Sequence, residues 1–204
     1  MCFQILTRLQ LVCTSNPMPV EITDKLLQAA VLKLAEITGE KSFVIVGSGS
    51  LAITAPQNYQ ALARTDDVDM WPRDNEAAGL DICIEKLGEG SRFHAEYGFY
   101  IERVGSWTLL TQPVGWEARA TRVIFDDVEV LALGLLDLVY NKLEANRKKD
   151  RSFLKNAIVN ALIDIIELKK FILENAPNDD VKERLLVSLE ELTQRREGAK
   201  KAWI

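Results

Sequence analysis

The sequence contains little histidine and little cysteine, and both shortages limit the chemistry open to the protein. His94 is the one histidine among 204 residues, so a histidine-based zinc site or a Ser-His-Asp triad has little material. The three cysteines, at positions 2, 13 and 83, form an odd set without metal-type spacing. Such a set favours free thiols in a reducing compartment over a disulfide framework, and we expect a cytoplasmic protein.

Long apolar runs and an excess of positive charge are also missing. No apolar stretch approaches the ~20 residues that a membrane-spanning helix requires, so we expect no membrane segment. The net charge of −5 is not that of a protein that coats nucleic acid. The apolar share of 48% and the charged share of 27% are ordinary for a globular chain, and the length suits one domain with or without a helical appendage.

A glycine-serine turn follows the most apolar short run of the chain. Residues 43–46 (FVIV) are rich in β-branched side chains and precede a glycine, which predicts a short buried strand. Residues 47–50 (GSGS) break this strand and can offer backbone N–H groups and a hydroxyl to phosphate oxygens. The segment that begins at Leu51 is compatible with a helix.

A second predicted strand, residues 66–71 (DDVDMW), carries paired carboxylates. Side chains alternate along a strand, so Asp67 and Asp69 lie on one face, with Val68 and Met70 on the other. Carboxylate oxygens are hard ligands that suit Mg²⁺. Two carboxylates beside a glycine-serine turn therefore predict a site for a divalent metal and phosphate. The alternative is that this acidic stretch is a solvated turn.

This order of strand, glycine-serine turn, helix and Asp-x-Asp strand resembles the nucleotidyltransferase superfamily. The resemblance implies that Asp67 and Asp69 bind Mg²⁺ or Mn²⁺ and act in catalysis. It implies that Gly47 and Ser48 bind the phosphates of a nucleoside triphosphate (NTP). Thr65 stands just ahead of the acidic pair, where many members carry threonine or serine, and is expected to join the nucleotide-binding residues.

Later segments extend the resemblance as far as residue 150. They are residues 91–94 (SRFH), 97–100 (YGFY), 115–119 (GWEAR), 137–138 (DL) and 142–150 (KLEANRKKD). Together they look like one bacterial and archaeal branch, related to the AbiEii-type toxins of toxin–antitoxin systems. In the toxin branch a lysine and a later aspartate support the active site, which implies nucleotide binding by Lys142 and a catalytic role for Asp150. For His94, an acid–base role and a structural hydrogen bond both stay open.

Helical spacing gives Lys142 a physical route to the site. In a helix Leu138, Lys142 and Ala145 share one face, so Lys142 could reach a triphosphate as a point charge if that face turns toward the sheet. The alternative applies to residues 147–151 (RKKDR), because a charged run at a helix end is usually solvated surface.

A third carboxylate, which many active members carry on a neighbouring strand, is hard to find. A hairpin turn at residues 105–106 is predicted to lead into a strand over 107–111 (WTLLT), which has no acid. Glu102, on a predicted strand over 97–104, is the nearest substitute, and Asp150 could fill the role from a helix. Without a third acid, general-base assistance weakens. A catalytically degenerate member is therefore the alternative.

Apolar periodicity completes the outline of the fold. Helices are predicted over residues 21–38, 73–87, 135–148 and 151–173, with a last helix after residues 177–179, and further strands over 121–125 and 128–131. We expect an α/β (α+β) fold, with a nucleotidyltransferase-like small mixed sheet, flanking helices and a C-terminal helical bundle. The expected division is an N-terminal extension (1–17) ahead of a natural start at Met18, a nucleotidyltransferase-like domain (18–132) and a helical region (133–204).

The function that this resemblance implies is metal-dependent transfer of a nucleotide from an NTP to a hydroxyl of RNA, such as tRNA, or of protein. The protein would then be a candidate toxin–antitoxin component, with an antitoxin or a second copy of the chain bound through its C-terminal helices. The alternative is a degenerate nucleotide-binding or protein-interaction module of the same fold.

Overall fold

The computed structural model describes residues 20–55, 62 and 64–201, and it describes side chains as far as residue 194. The strands are β1 (Val20–Glu21), β2 (Ser42–Ile45), β3 (Arg64–Thr65), β4 (Asp67–Pro72), β5 (Tyr100–Arg103), β6 (Thr121–Phe125) and β7 (Val128–Ala132). Five of them form one mixed sheet in the order β5-β4-β2-β7-β6, while β1 and β3 pair separately. The expected extension 1–17 and the start at Met18 lie outside the described residues.

Helices surround this sheet and then follow one another, without further strands, as far as residue 201. They are α1 (Asp24–Thr38), α2 (Leu51–Thr54), α3 (Leu80–Leu87), α4 (Arg92–Tyr97), α5 (Trp116–Arg119), α6 (Leu135–Ala145), α7 (Lys148–Val159), α8 (Ile165–Asn175) and α9 (Asp179–Lys201). Short 3₁₀ helices span Ser48–Ser50 and Ser106–Leu109. Within the described part of the chain, no helix is both long and apolar enough to cross a membrane.

Strand β2 lies at the centre of the sheet and is apolar on both faces because both faces are covered. Phe43 and Ile45 join a core with buried residues of α1 and α3. Val44 and Val46 join a second core, which includes Leu138 of α6. Strand β4 runs antiparallel to β2, and β7 runs parallel to it. The predicted run 43–46 is therefore a strand, with the site-bearing strand beside it.

Helix α6 connects the sheet to the C-terminal helices. Leu138 packs in the core on the sheet, whereas Tyr140 and Leu143 belong to a separate core shared with α7, α8 and α9. The buried apolar residues on this second face fix the rotation of α6. Lys142 is thereby held on the side of the helix that borders the site.

The predicted strand over 107–111 is wrong. Residues Ser106–Leu109 form a 3₁₀ helix, in which the N–H and the hydroxyl of Thr108 both donate to the carbonyl of Gly105. Leu109 is buried in the core beneath α6. The segment therefore leaves the sheet after β5, and β5 is an edge strand without the predicted hairpin partner.

Two further predicted elements are shorter than expected. The predicted helix over 73–87 begins only at Leu80, after turns that end at Gly79, whose φ of 58° is left-handed. The predicted strand over 97–104 is reduced to β5. Its first residues instead end α4, where Gly98 adopts φ 78° and donates its N–H to a helix carbonyl, a common helix C-cap.

The predicted single helix over 151–173 is two helices. The helix is interrupted between α7 and α8, where Ala161 adopts φ 55°. The Asp164 carboxylate then accepts the N–H groups of Ile166 and Glu167 and caps α8. Apolar periodicity continues across the break because both helices contribute to one core, which explains why the pattern alone suggests one element.

Candidate active site at the edge of the mixed sheet

Three carboxylates meet on strands β4 and β5. Asp67 and Asp69 lie on one face of β4, as predicted, and Glu102 lies directly beside Asp69 in the parallel pairing of β4 with β5. One oxygen from each of the three carboxylates lies within 4.8 Å of the other two. We call these residues the acidic cluster. The third carboxylate that the sequence left open is thus Glu102, from the strand before the one expected to carry it.

Burial and mutual repulsion disfavour the charged forms of the carboxylates in the acidic cluster. Burial, followed by repulsion from Asp67 and Glu102, raises the pKa of Asp69 from 3.8 to about 7. Burial and the neighbouring Asp67 carboxylate also raise the pKa of Glu102. Three hard oxygen ligands at this spacing fit a divalent cation such as Mg²⁺ or Mn²⁺, which would offset the repulsion.

Thr65 orients one member of the cluster. Its buried hydroxyl donates a hydrogen bond to Asp67 Oδ1, and its oxygen accepts the backbone N–H of Asp67 at 3.4 Å. The short pairing of β1 with β3 holds Thr65 opposite Val20. The hydroxyl of Thr65, which the sequence predicts to bind nucleotide, is therefore hydrogen-bonded to Asp67, a candidate metal ligand.

The glycine-serine turn packs directly against the acidic cluster. Gly47 adopts φ 62° and ψ −162°, a combination open essentially only to glycine. A Cβ at this position would collide with the Asp69 carboxylate. Ser50 braces the turn by donating its hydroxyl to the Gly47 carbonyl at 2.9 Å. Ser48, which the sequence predicts to bind phosphate, is half-buried and lines a cleft beside the acidic cluster.

Replacing Gly47 by alanine is expected to destabilise the protein by about 1–3 kcal/mol and to weaken the metal-dependent NTP binding that the family resemblance implies by more than about tenfold, because Asp69 must move. Chemical unfolding and NTP titration with Mn²⁺ measure the two effects. Gly39→Ala is the matched control, since Gly39 has φ 73° with open space around it. It should lose stability but keep NTP affinity. Equal losses of affinity in both variants would contradict the role of Gly47.

Three cations form a ridge opposite the acidic cluster. Lys142 of α6 is mostly buried, lies 3.5 Å from Asp150 Oδ1 and stands over the ring of Phe153 at 4.5 Å. Burial lowers the pKa of Lys142. Arg147 and Lys149 project from the junction of α6 and α7 and border the same space. We call Lys142, Arg147 and Lys149 the basic ridge.

Asp150 sits behind this ridge. Its carboxylate has no exposed surface, lies 2.6 Å from Arg147 Nε and accepts the Arg147 backbone N–H. It lines neither of the two clefts that border the acidic cluster. The structure brings it together with Lys142, but its contacts are to the cations and do not reach the acidic cluster.

Arg147 and Lys149 were missed by sequence reasoning, which favoured a solvated charged run. Helix α6 stops at Asn146, whose φ of 47° is left-handed, and after this break Arg147 and Lys149 border the space beside the acidic cluster. An asparagine followed by a capping aspartate at position 150 was the available signal for this break.

Two clefts meet at the acidic cluster, and both are bordered by the basic ridge, Gly47 and Asp69. The glycine-side cleft has a volume of about 430 Å³ and is otherwise lined by Ser48, Leu62, Arg64, Thr65, Asp66, Asp67, Phe153 and Asn156. The tryptophan-side cleft has a volume of about 440 Å³ and is otherwise lined by Val46, Glu102, Val104, Trp107, Thr108, Leu138, Asn141 and Ala145.

His94 lies outside both clefts. Its Nδ1 accepts the backbone N–H of Gly90 at 3.0 Å, and its ring packs near Tyr100 with the centroids 5.1 Å apart. The structural hydrogen bond, one of the two alternatives left by the sequence, is therefore present.

A glycine-serine turn beside a strand-borne acidic cluster, on a small mixed sheet with a helical continuation, defines a nucleotidyltransferase-like protein. Comparison with protein-family models matches residues 25–200 to the family described as nucleotidyltransferase of unknown function (DUF6036). The match covers most of the chain, and the chain belongs to this family. Searches of curated proteins and of solved structures found no match. The predicted superfamily and fold class are confirmed, whereas the link to AbiEii-type toxins stays a prediction.

Proposed function

We propose that the protein transfers a nucleotide from an NTP to a hydroxyl of RNA or protein, with a divalent cation at the acidic cluster. The observation that carries this proposal is the third carboxylate, Glu102, beside Asp67 and Asp69. It supports an active enzyme over the degenerate alternative, because that alternative was motivated by the missing third acid.

Each predicted residue has a role in this proposal. Asp67 and Asp69 would hold Mg²⁺ or Mn²⁺, and the bound cation would draw off negative charge from the triphosphate. Gly47 and Ser48 would contact the phosphates in the glycine-side cleft. Lys142 and Lys149 would offset the charge of the phosphates. Two further residues would act through their neighbours, since Thr65 positions Asp67 and Asp150 positions Lys142.

The basic ridge matters because phosphoryl-type transfer depends chiefly on positioning and electrostatic stabilisation. Lys142 is held by Asp150 and by the ring of Phe153, so its ammonium is oriented before the NTP binds. Little reorganisation is then needed when charge moves toward the leaving pyrophosphate. Asp150 is accordingly proposed as a positioning residue that acts through Lys142.

A role in a toxin–antitoxin pair is proposed from the resemblance, with the helical region as the partner-binding part. Exposed apolar residues support this part of the proposal: Ile166 and Leu173 on α8 and Val187 on α9 project into solvent. An antitoxin or a second copy of the chain could cover them.

The proposed activity predicts metal-dependent labelling that requires the acidic cluster. Purified protein would be incubated with Mg²⁺ or Mn²⁺, each α-labelled NTP, total RNA and cell extract. The Asp67→Asn/Asp69→Asn variant is expected to transfer at least about 1,000-fold less label, a loss of roughly 4 kcal/mol of transition-state stabilisation. Asp66→Asn is the control, since it removes one neighbouring exposed carboxylate that lies outside the cluster, and should retain transfer. Equal labelling by the wild type and the double variant would refute the proposal.

A further inference from the structure

The two clefts differ in chemistry although they share the cluster and the ridge. The glycine-side cleft adds Arg64, the carboxylates of Asp66 and Asp67, and the polar groups of Ser48 and Asn156. The tryptophan-side cleft adds mainly apolar walls, formed by Val46, Val104, Trp107, Leu138 and Ala145. The Trp107 side chain is conspicuously open, with the residue 65% exposed. The clefts are therefore suited to different substrates of the proposed reaction, the NTP and the acceptor.

The geometry of nucleotide transfer indicates which cleft binds the NTP and which binds the acceptor. An attacking hydroxyl approaches the α-phosphorus in line with, and opposite to, the departing pyrophosphate. The acceptor and the triphosphate must then enter from opposite sides of the acidic cluster. Phosphates fit the glycine-side cleft, with its turn and Arg64, and this leaves the tryptophan-side cleft for the acceptor. Glu102 lines that cleft and not the other, so it faces the incoming hydroxyl.

Apart from the basic ridge, which it shares with the other cleft, the tryptophan-side cleft is lined by no cation among the residues that the structure describes. Among the described residues that line this cleft but not the other, Glu102 is the only one with a charged side chain. No residue from 105 to 116 carries a charge. Leu110 and Val114 in this segment are 83% and 95% exposed. Nucleic-acid acceptors are held through phosphate contacts from Lys and Arg, whereas an uncharged rim with exposed apolar side chains matches a protein surface.

We propose that the tryptophan-side cleft accepts a tyrosine side chain from a protein partner whose flanking residues are apolar, an inference that rests on the proposed transferase activity. Tyrosine is the protein side chain that carries a hydroxyl on a largely apolar ring. Its ring would stack against the Trp107 indole and bring the phenol oxygen toward Glu102. Serine or threonine would leave the apolar walls unfilled.

The reaction step balances with the NTP as the only co-reactant. The phenol oxygen forms a bond to the α-phosphorus, and the bond from that phosphorus to the oxygen bridging to the β-phosphate breaks. Pyrophosphate leaves with that electron pair. The phenolic proton is released to solvent. The product is a phosphodiester between the nucleotide and tyrosine. A phenol, with pKa ≈ 10, needs less help from a base than an aliphatic hydroxyl does.

The test offers protein and RNA acceptors together. Wild type, Trp107→Ala, Trp107→Phe and the control Ile124→Ala would be incubated with α-labelled NTPs, Mn²⁺, cell-extract protein and total RNA. Ile124 is 66% exposed on β6, at the far edge of the sheet. Labelled residues would be identified by mass spectrometry. Pyrophosphate release in the absence of acceptor, and the NTP-induced rise in melting temperature, would be measured in parallel.

The expected label lies on tyrosines. Trp107→Ala should lower tyrosine labelling by roughly 5- to 100-fold, in line with the loss of one aromatic stacking contact, while Trp107→Phe and Ile124→Ala stay within about threefold. The NTP-induced melting shift should be unchanged in all variants. Label on RNA or on serine or threonine, or pyrophosphate release without labelled protein, would overturn the tyrosine inference and leave the transferase standing. Absence of label, of pyrophosphate release and of an NTP shift would overturn both.

Discussion

The metal-free protein with Asp69 replaced by asparagine is expected to be more stable than the wild type at pH 8, by on the order of 4 kcal/mol. The cause is the pKa of Asp69, which rises from 3.8 to about 7 through burial and the neighbouring carboxylates. Between these two values the unfolded chain releases a proton that the folded chain retains. Stability from this group is therefore present below pH 3.8 and lost as pH rises through 7. Asparagine stays neutral and avoids the loss.

Urea unfolding in the presence of a chelator, at pH 5 and pH 8, measures this difference. At pH 5 the difference in unfolding free energy between the variant and the wild type should be less than half of its value at pH 8, because the Asp69 carboxyl of the folded wild type is still protonated. Mg²⁺ or Mn²⁺ should stabilise the wild type through binding to the folded state and should have little effect on Asp69→Asn. Asp66→Asn serves as control, because Asp66 is exposed and outside the acidic cluster. An Asp69→Asn variant that is less stable than the wild type at both pH values would contradict the electrostatic account.

The local parts of the site could be predicted from the sequence because short-range chemistry determines them. The apolar run before Gly47 forces a buried strand, and the alternation in β4 puts Asp67 and Asp69 on one face whatever their neighbours are. The need for glycine at position 47 follows from a close approach to Asp69. The sequence predicts the glycine-serine turn, but only the folded structure shows that Asp69 packs against Gly47.

The non-local parts of the site could not be predicted in the same way. Glu102 joins the acidic cluster through the register of β5 on β4, which depends on long-range packing. The segment after β5 has the β-branched and aromatic composition of a strand, yet burial of Leu109 pulls it into a 3₁₀ helix. Arg147 and Lys149 reach the site because α6 ends at Asn146, and a charged run gives no hint of the direction it will face.

Removing Arg119 is expected to destabilise the protein by about 3–5 kcal/mol, the cost of leaving a buried carboxylate without its partner. Asp137, at the start of α6, is 1% exposed. Arg119 meets it with two hydrogen bonds, from Nη2 at 2.7 Å and from Nε at 2.9 Å, and also donates to the carbonyls of Pro113 and Val114. One side chain thus joins the uncharged segment beside the tryptophan-side cleft to the helix that carries Lys142.

Because the ion pair holds two parts of the site together, its loss should affect activity as well as folding. Arg119→Ala is compared with Arg122→Ala, which breaks an exposed pair with Glu129 at 2.7 Å and should cost less than about 1 kcal/mol. The Arg119→Met/Asp137→Leu variant removes both charges and should recover most of the lost stability. The proposed transferase activity of this variant should stay low, since apolar contacts do not reproduce the bonds to the Pro113 and Val114 carbonyls. Equal losses of stability for Arg119→Ala and Arg122→Ala would show that the buried pair does not hold the segment to α6.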